Sequence, residues 1–167
     1  MTKGAFFHHF ESKEVLGVAA AAYWAETTSA FFAAAPYHDH SDPLDRVLGY
    51  IEFRKTIIDG DLAAFTCLVG TMAQEVYASH PAIRDACAAS IFAHAATIEP
   101  DIAAAMTAHG FAPDWTAASL AVHTQAVLQG AFILAKANGD AEVARDSVDH
   151  LARYVRLLFG RREGSGQ

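Results

Sequence analysis

The chain has 167 residues, 53% of them hydrophobic and 19% charged, with 12 basic against 19 acidic side chains and a formal net charge of −7. One domain with a substantial core is the default at this length, and general disorder is excluded by so high an apolar fraction. Only 11 Gly, 5 Pro and 2 Cys exclude collagen-like and disulfide-dense scaffolds, and net acidity argues against a polybasic surface spread over the whole molecule.

About a fifth of the residues are alanine, the strongest helix former. β-Branched residues never alternate for long, so the reading is all-α. Residues 2–9 read as a short helix. Ser12 is an N-cap for a helix over residues 13–34 that stops at Ala35-Pro36. The polar run from Tyr37 to Ser41 reads as a loop. Ser41 or Asp42 caps the next helix, with Pro43 in its first turn, and Gly60 closes it after Asp59.

Asp61 opens a segment through Ala78, with Phe65, Leu68, Val69, Met72, Ala73 and Val76 at helical spacing. Ser79-His80-Pro81 opens a long helix to His109-Gly110, and Pro100 predicts a kink or break inside it. Pro113 or Asp114 starts a helix ending at Asn138-Gly139. Asp140 caps the last helix, which stops at Gly160 before a polar, frayed tail.

The last two helices are apolar around most of their circumference. Over residues 115–137, Leu120, His123, Val127, Ala131 and Leu134 form one stripe, and Ala121, Leu128, Phe132 and Ala135 form another. Over residues 143–159, Val143, Val148, Leu151, Val155 and Leu158 run beside Ala144, Tyr154 and Leu157. Such helices need cover on more than one side. A homodimer through a four-helix bundle of these two helices supplies it, and deep burial within one chain is the alternative.

The stretches around residues 15–35 and 117–137 carry Glu26, His123, Gln125 and Gln129 and read as buried helices, not membrane spans. Met1-Thr2-Lys3-Gly4 leads into aromatic and polar residues without an apolar signal core, so a cytoplasmic location is expected.

The diagnostic stretch runs from Thr2 to Leu16: Thr2, Lys3, Gly4, Ala5, Phe6, Phe7, His8, His9, Phe10, Glu11, Ser12, Lys13, Glu14, Val15, Leu16. It resembles the end of the helix-turn-helix of TetR-type transcriptional regulators, whose pattern is Ser/Thr-Lys-Gly-small-apolar-Tyr-x-His/Tyr-Phe-x-x-Lys-Glu-x-Leu. Lys3, Gly4, His9, Phe10, Lys13, Glu14 and Leu16 match residue for residue, while Phe6 and Phe7 match in character. The runs 65–70 and 128–136 are similar to phrases of that family's helical body.

The resemblance implies a remnant of the DNA-binding head over residues 1–34, a ligand-binding and dimerisation domain over 35–160, and a disordered tail over 161–167. It implies a ligand-responsive regulator, acting as a repressor, with operator DNA contacts from Thr2, Lys3, Gly4, Phe7, His8, His9 and Lys13. A short helix carrying Thr2, Lys3 and two imidazoles suits a major groove, and Lys13 at the next helix start suits a phosphate. The family's tyrosine hydroxyl is missing at Phe7.

A three-helix head needs roughly 30 residues before the recognition helix. As written, the chain is therefore expected to bind operator weakly or not at all. A second reading is a headless dimeric small-molecule-binding module, or a dominant-negative partner of an intact regulator.

For the effector, Phe53, Phe65, Met72, Phe92, Met106, Trp115 and His123 are the candidate pocket lining. Each is also compatible with ordinary core packing, but together they suit an apolar or aromatic molecule with one or two polar anchors. No metal or other cofactor is expected. Cys87 and His94 are two helical turns apart, about 10.5 Å, too far for one ion, and His38-Asp39-His40 with Asp42 reads as a solvated loop. No nucleophile elbow, phosphate loop or paired-cysteine site is present, so an enzyme is not expected.

Overall fold

The structure is a computed structural model, which describes residues 10–161. Every regular element among them is helical: α1 (Lys13–Ala33), a 3₁₀ turn (Pro36–Asp39), α2 (Pro43–Thr56), α3 (Leu62–Phe65), α4 (Leu68–Val76), α5 (Pro81–Ala96), α6 (Glu99–Ala108), α7 (Ala117–Asn138) and α8 (Glu142–Leu158). The all-α expectation holds. The helix expected at residues 2–9 lies outside the described residues, as does the tail beyond residue 161.

The capping residues explain most boundaries. Ser12 accepts from the Val15 N–H at 3.1 Å to start α1, and Asp42 Oδ1 accepts from the Leu44 N–H at 2.7 Å with Pro43 in the first turn of α2. Gly139, at φ 74°, ends α7 in the left-handed conformation that favours glycine. Asp140 Oδ1 then accepts from the Glu142 N–H at 2.9 Å.

Three boundaries differ from the expectation, and one break falls where it is expected. Residues 37–41 are not a plain loop, because Pro36–Asp39 winds into a 3₁₀ turn that buries Tyr37 at 4% exposure. The segment expected from Asp61 to Ala78 is broken at Thr66–Cys67 into the single turn α3 and the longer α4. The break expected at Pro100 is present: the helix from Pro81 ends at Ala96, and Pro100 sits in the first turn of α6 where its missing N–H costs nothing. Helix α7 starts at Ala117, three residues beyond Asp114, because Thr116 and Ser119 form a reciprocal capping box.

The chain forms two compact units. Among the described residues, one comprises 10–34 and 67–94. Its core is Ala21 of α1, Val69 of α4, and Ile83 and Cys87 of α5, with Val18, Trp24, Cys67, Met72 and Ile91 packed against it. Gly17 permits the approach of α5 to α1, since a Cβ there would lie 2.6 Å from Ile83 Cδ1. His94 packs edge-on to Phe32, with ring centroids 4.6 Å apart.

The other unit comprises residues 35–66 and 95–161 of those described. Helix α2 is its centre, packing on the 3₁₀ turn, α6 and α8, while α7 packs on α6 and α8. Val47, Tyr50, Ile51 and Arg54 fall on the buried side of α2, and Ile58 just beyond its end is buried too. Arg46 Nε contacts Asp101 Oδ1 at 2.6 Å, while its Nη1 donates to the His40 carbonyl at 3.0 Å, so one guanidinium ties the turn to α6. Lys55 Nζ pairs with Asp149 at 2.7 Å and links α2 to α8.

Helices α7 and α8 form an antiparallel hairpin that leaves apolar groups outside. Leu128, Ala131, Phe132, Val148, Leu151 and Val155 are buried within the unit, whereas Val122, Ile133, Leu134, Tyr154 and Leu157 are exposed. His123 and Leu134, placed by the sequence on one stripe with buried Leu120 and Ala131, stand on the exposed side. Helix α7 is long and apolar enough by composition to cross a membrane. Its buried Thr124 and Gln125 hydrogen-bond to Leu120 and Tyr50, as in the core helix of a helical bundle.

Candidate functional site

The second unit holds a connected aromatic and polar cluster built on α2. Its helical register puts Tyr50 and Arg54 one turn apart on the buried side, with Phe53 beside them at intermediate exposure. The 3₁₀ turn delivers Tyr37, whose ring lies 5.5 Å from Tyr50 edge-on and 5.9 Å from Phe53. Helix α7 contributes Gln125, donating from Nε2 to the Tyr50 hydroxyl oxygen at 2.7 Å, and Phe132, whose ring lies 5.6 Å below the Arg54 guanidinium. Phe65 of α3 extends the cluster, 6.1 Å from Phe132.

The electrostatics are those of a low-dielectric enclosure. Burial pushes Tyr37 up to about 12, with the Tyr50 and Asp101 charges adding to it and Arg54 opposing. Burial also raises Tyr50, against the lowering effects of the Arg54 charge and of hydrogen bonds from Gln125 and Arg54. Both phenols are therefore neutral hydrogen-bonding groups at physiological pH. Arg54, 8% exposed, places a permanent cation among them.

The residues expected to line a pocket do not form one group. Phe53 and Phe65 join the cluster through Tyr37 and Phe132. Trp115 belongs to another aromatic group, with Phe111 at 5.7 Å and Phe159 at 6.4 Å. Met106 is half-buried on α6. His123 is exposed on α7, 5.4 Å from the Tyr154 ring. Met72 and Phe92 belong to the first unit, where Met72 packs on the core and Phe92 is 58% exposed.

Sequence reasoning passed over Tyr37, Tyr50 and Arg54. A signal for Arg54 existed: it stands on the apolar stripe of Val47, Ile51 and Ile58 at helical spacing, where a charge is out of pattern.

The DNA-contact candidates Thr2, Lys3, Gly4, Phe7, His8 and His9 lie outside the described residues, and Lys13 is exposed at the first position of α1. Among the described residues, no group of three or more His, Cys, Asp or Glu is placed to hold a metal ion.

This all-helical fold is also found among solved transcriptional regulators. A TetR-family regulator from Agrobacterium tumefaciens superposes with a TM-score of 0.76 at 20% identity, over 92% of this chain and 80% of that one. A TetR regulator from Chloroflexus aurantiacus J-10-FL does so with a TM-score of 0.73 at 26% identity, over 89% of this chain and 75% of that one. No curated protein sequence matches the chain.

The family model described as "Transcriptional regulator LmrA/YxaF-like, C-terminal domain" matches residues 43–150. The chain belongs to this TetR-type family, which is one of transcriptional regulators and not of enzymes.

Proposed function

We propose that the protein is a ligand-responsive TetR-type repressor whose body binds a small, largely apolar effector at the cluster of Tyr37, Tyr50, Phe53, Arg54, Phe65, Gln125 and Phe132. It acts in the cytoplasm as a homodimer through α7 and α8, and, in a form that carries the helices of a complete head before the recognition helix, contacts operator DNA through Thr2, Lys3, Gly4, Phe7, His8, His9 and Lys13. The observation that carries the effector reading is the Gln125–Tyr50–Arg54 hydrogen-bonded set inside an aromatic surround. Apolar walls with a few fixed polar groups are how proteins bind and orient small molecules.

Effector binding then shifts the population between a DNA-competent dimer and a ligand-held one, to the extent that the two differ in effector affinity. Membership of a family of transcriptional regulators supports this reading.

The test is a thermal-shift screen of aromatic and aliphatic small molecules against the wild type, Phe53→Ala and Gln125→Leu, followed by operator-binding assays with each hit on a form that carries a complete DNA-binding head. A compound that raises the wild-type melting temperature, loses that effect in both variants and alters DNA affinity is the expected result. Stabilising compounds that shift both variants as much as the wild type, or that leave DNA affinity unchanged, overturn the proposal.

A further inference from the structure

Among the residues of the cluster built on α2, only Arg54 carries a formal charge at neutral pH. Arg54 is buried, its guanidinium lies over the Phe132 ring at 5.6 Å, and it hydrogen-bonds the Tyr50 hydroxyl. The other polar members, Tyr37, Tyr50 and Gln125, are neutral, and burial keeps both phenols protonated. Asp101, a carboxylate whose charge reaches Tyr37, is engaged by Arg46 Nε at 2.6 Å. The cluster and this adjoining ion pair therefore sum to a positive interior. In such low-dielectric surroundings a charge acts far more strongly than in water.

We propose that the cluster selects an effector that is an aromatic carboxylate, with Arg54 as the residue that sets this specificity. The inference rests on the effector reading above and adds the ligand's charge to it. A guanidinium packed by its face on a ring presents its N–H donors along its edge, and a carboxylate matches that edge with two parallel hydrogen bonds. Tyr37, Phe53, Phe65 and Phe132 supply ring surface for the ligand's own ring. Phe53 and Phe65, both at intermediate exposure, are where the cluster meets solvent.

A carboxylate that leaves water loses its hydration, and a buried site offsets that loss only where a counter-charge and hydrogen-bond donors are already in place. Arg54 meets that requirement for an anion and would repel a cation. The neutral amide of the same acid brings the same ring and nearly the same shape, but no charge to balance the guanidinium. Comparing an acid with its amide therefore isolates the charge from the apolar contact.

The test is isothermal titration calorimetry of the full chain at neutral pH with benzoate, cinnamate and 2-naphthoate, each beside its amide. At least one carboxylate is expected to bind roughly tenfold or more tightly than its amide, the scale of one charge-assisted hydrogen bond. Phe53→Ala weakens both members of that pair, and Arg54→Met, with folding checked by circular dichroism, removes the difference between them. Arg54→Lys keeps the charge without the planar fork and reduces the preference, which reads the same point should Arg54→Met fail to fold. Amides that bind the wild type as tightly as their acids, at a site that Phe53→Ala weakens, overturn this inference and leave the effector reading standing. A carboxylate preference that keeps its full size in Phe53→Ala and Arg54→Lys lies elsewhere on the molecule and overturns it as well. Absence of binding by all three carboxylates also overturns it, and the effector reading falls with it only if the neutral compounds of the earlier screen find no site at the cluster either.

Discussion

Gln125 Nε2 donates to the Tyr50 hydroxyl oxygen at 2.7 Å, joining α7 to α2 in the interior of the second unit. Both residues are buried, at 4% and 0% exposure, so neither can exchange its partner for bulk water. Tyr50→Phe leaves the Gln125 amide without this acceptor and is expected to cost about 1–3 kcal/mol, the penalty for stranding a buried polar group. Pairing it with Gln125→Leu removes the stranded amide, so the double variant loses less than the sum of the single losses. Urea denaturation of the four proteins measures the coupling, and strict additivity would show that the bond stabilises nothing.

Tyr37 sets the alkaline limb of stability. Its phenol is held at about 12 in the folded chain against 10.0 ordinarily, so the folded state keeps its proton where the unfolded state loses it. That contribution is complete below pH 10 and is lost as pH rises towards 12, a displacement on the order of 3 kcal/mol. Burial raises Tyr50 in the same direction. Lys55 is also raised, chiefly by the hydrogen bond it donates to Asp149, and adds to the same limb. Tyr37→Phe is expected to flatten the fall in melting temperature between pH 10 and 12. An unchanged slope would remove Tyr37 as the cause.

Asp42 governs part of the acid limb. Burial pushes its carboxyl up, but hydrogen bonds from His109 and from the Leu44 and Asp45 N–H groups, with the His109 charge, outweigh it and hold it below 3.8. A depressed carboxylate contributes stability above its unfolded value and loses it as pH falls through the folded one. Asp42→Ala is therefore expected to destabilise at pH 7 by about 0.5–2 kcal/mol, the worth of an N-cap, and to do so less at pH 2. Equal losses at both pH values would locate the effect in packing instead of charge.

The legible parts of the fold are those fixed by local chemistry. Ser12, Asp42 and Gly139 each carry a capping or turn preference that acts within four residues, and each marks a helix boundary as expected. The break at Thr66–Cys67 was not legible, because Leu62, Phe65, Leu68, Val69 and Met72 keep helical spacing straight through it and no Gly or Pro stands at the break itself. Tyr37 was missed because its neighbours are polar, while its burial depends on Tyr50 and Phe53 of α2. In the site, single aromatic residues such as Phe53 and Phe65 could be named, but not their grouping. Met72 and Phe92 looked equivalent to them as a list of large apolar side chains, and tertiary packing alone separates the two sets.

Gly49 is the close-approach point between α2 and the 3₁₀ turn. A Cβ there would lie 2.9 Å from Tyr37 Cβ and 3.1 Å from His40 Cδ2. Tyr37 Cβ is one bond from the backbone and cannot swing away, so overpacking outweighs the gain of about 1 kcal/mol in helix propensity. Gly49→Ala is expected to lose about 1–3 kcal/mol in chemical denaturation. A stabilised variant would mean that the turn shifts freely on α2.

Gly130 of α7 offers the opposite case and reads the proposed dimer. A Cβ there would meet nothing within 4 Å in the chain itself. Within one protomer, Gly130→Ala should therefore stabilise α7 by up to about 1 kcal/mol through helix propensity. The residue stands midway along a helix whose Val122, Ile133 and Leu134 are exposed, and Leu157 of α8 is 76% exposed. If this face packs on a second copy, a larger side chain at Gly130 holds the two helices apart. Gly130→Leu is then expected to raise the dimer dissociation constant at least tenfold, with Leu157→Glu as the disruptive control. Sedimentation equilibrium distinguishes the outcomes. A dimer unaffected by either substitution would place the interface elsewhere, and a monomeric wild type would leave this apolar face without the partner proposed for it.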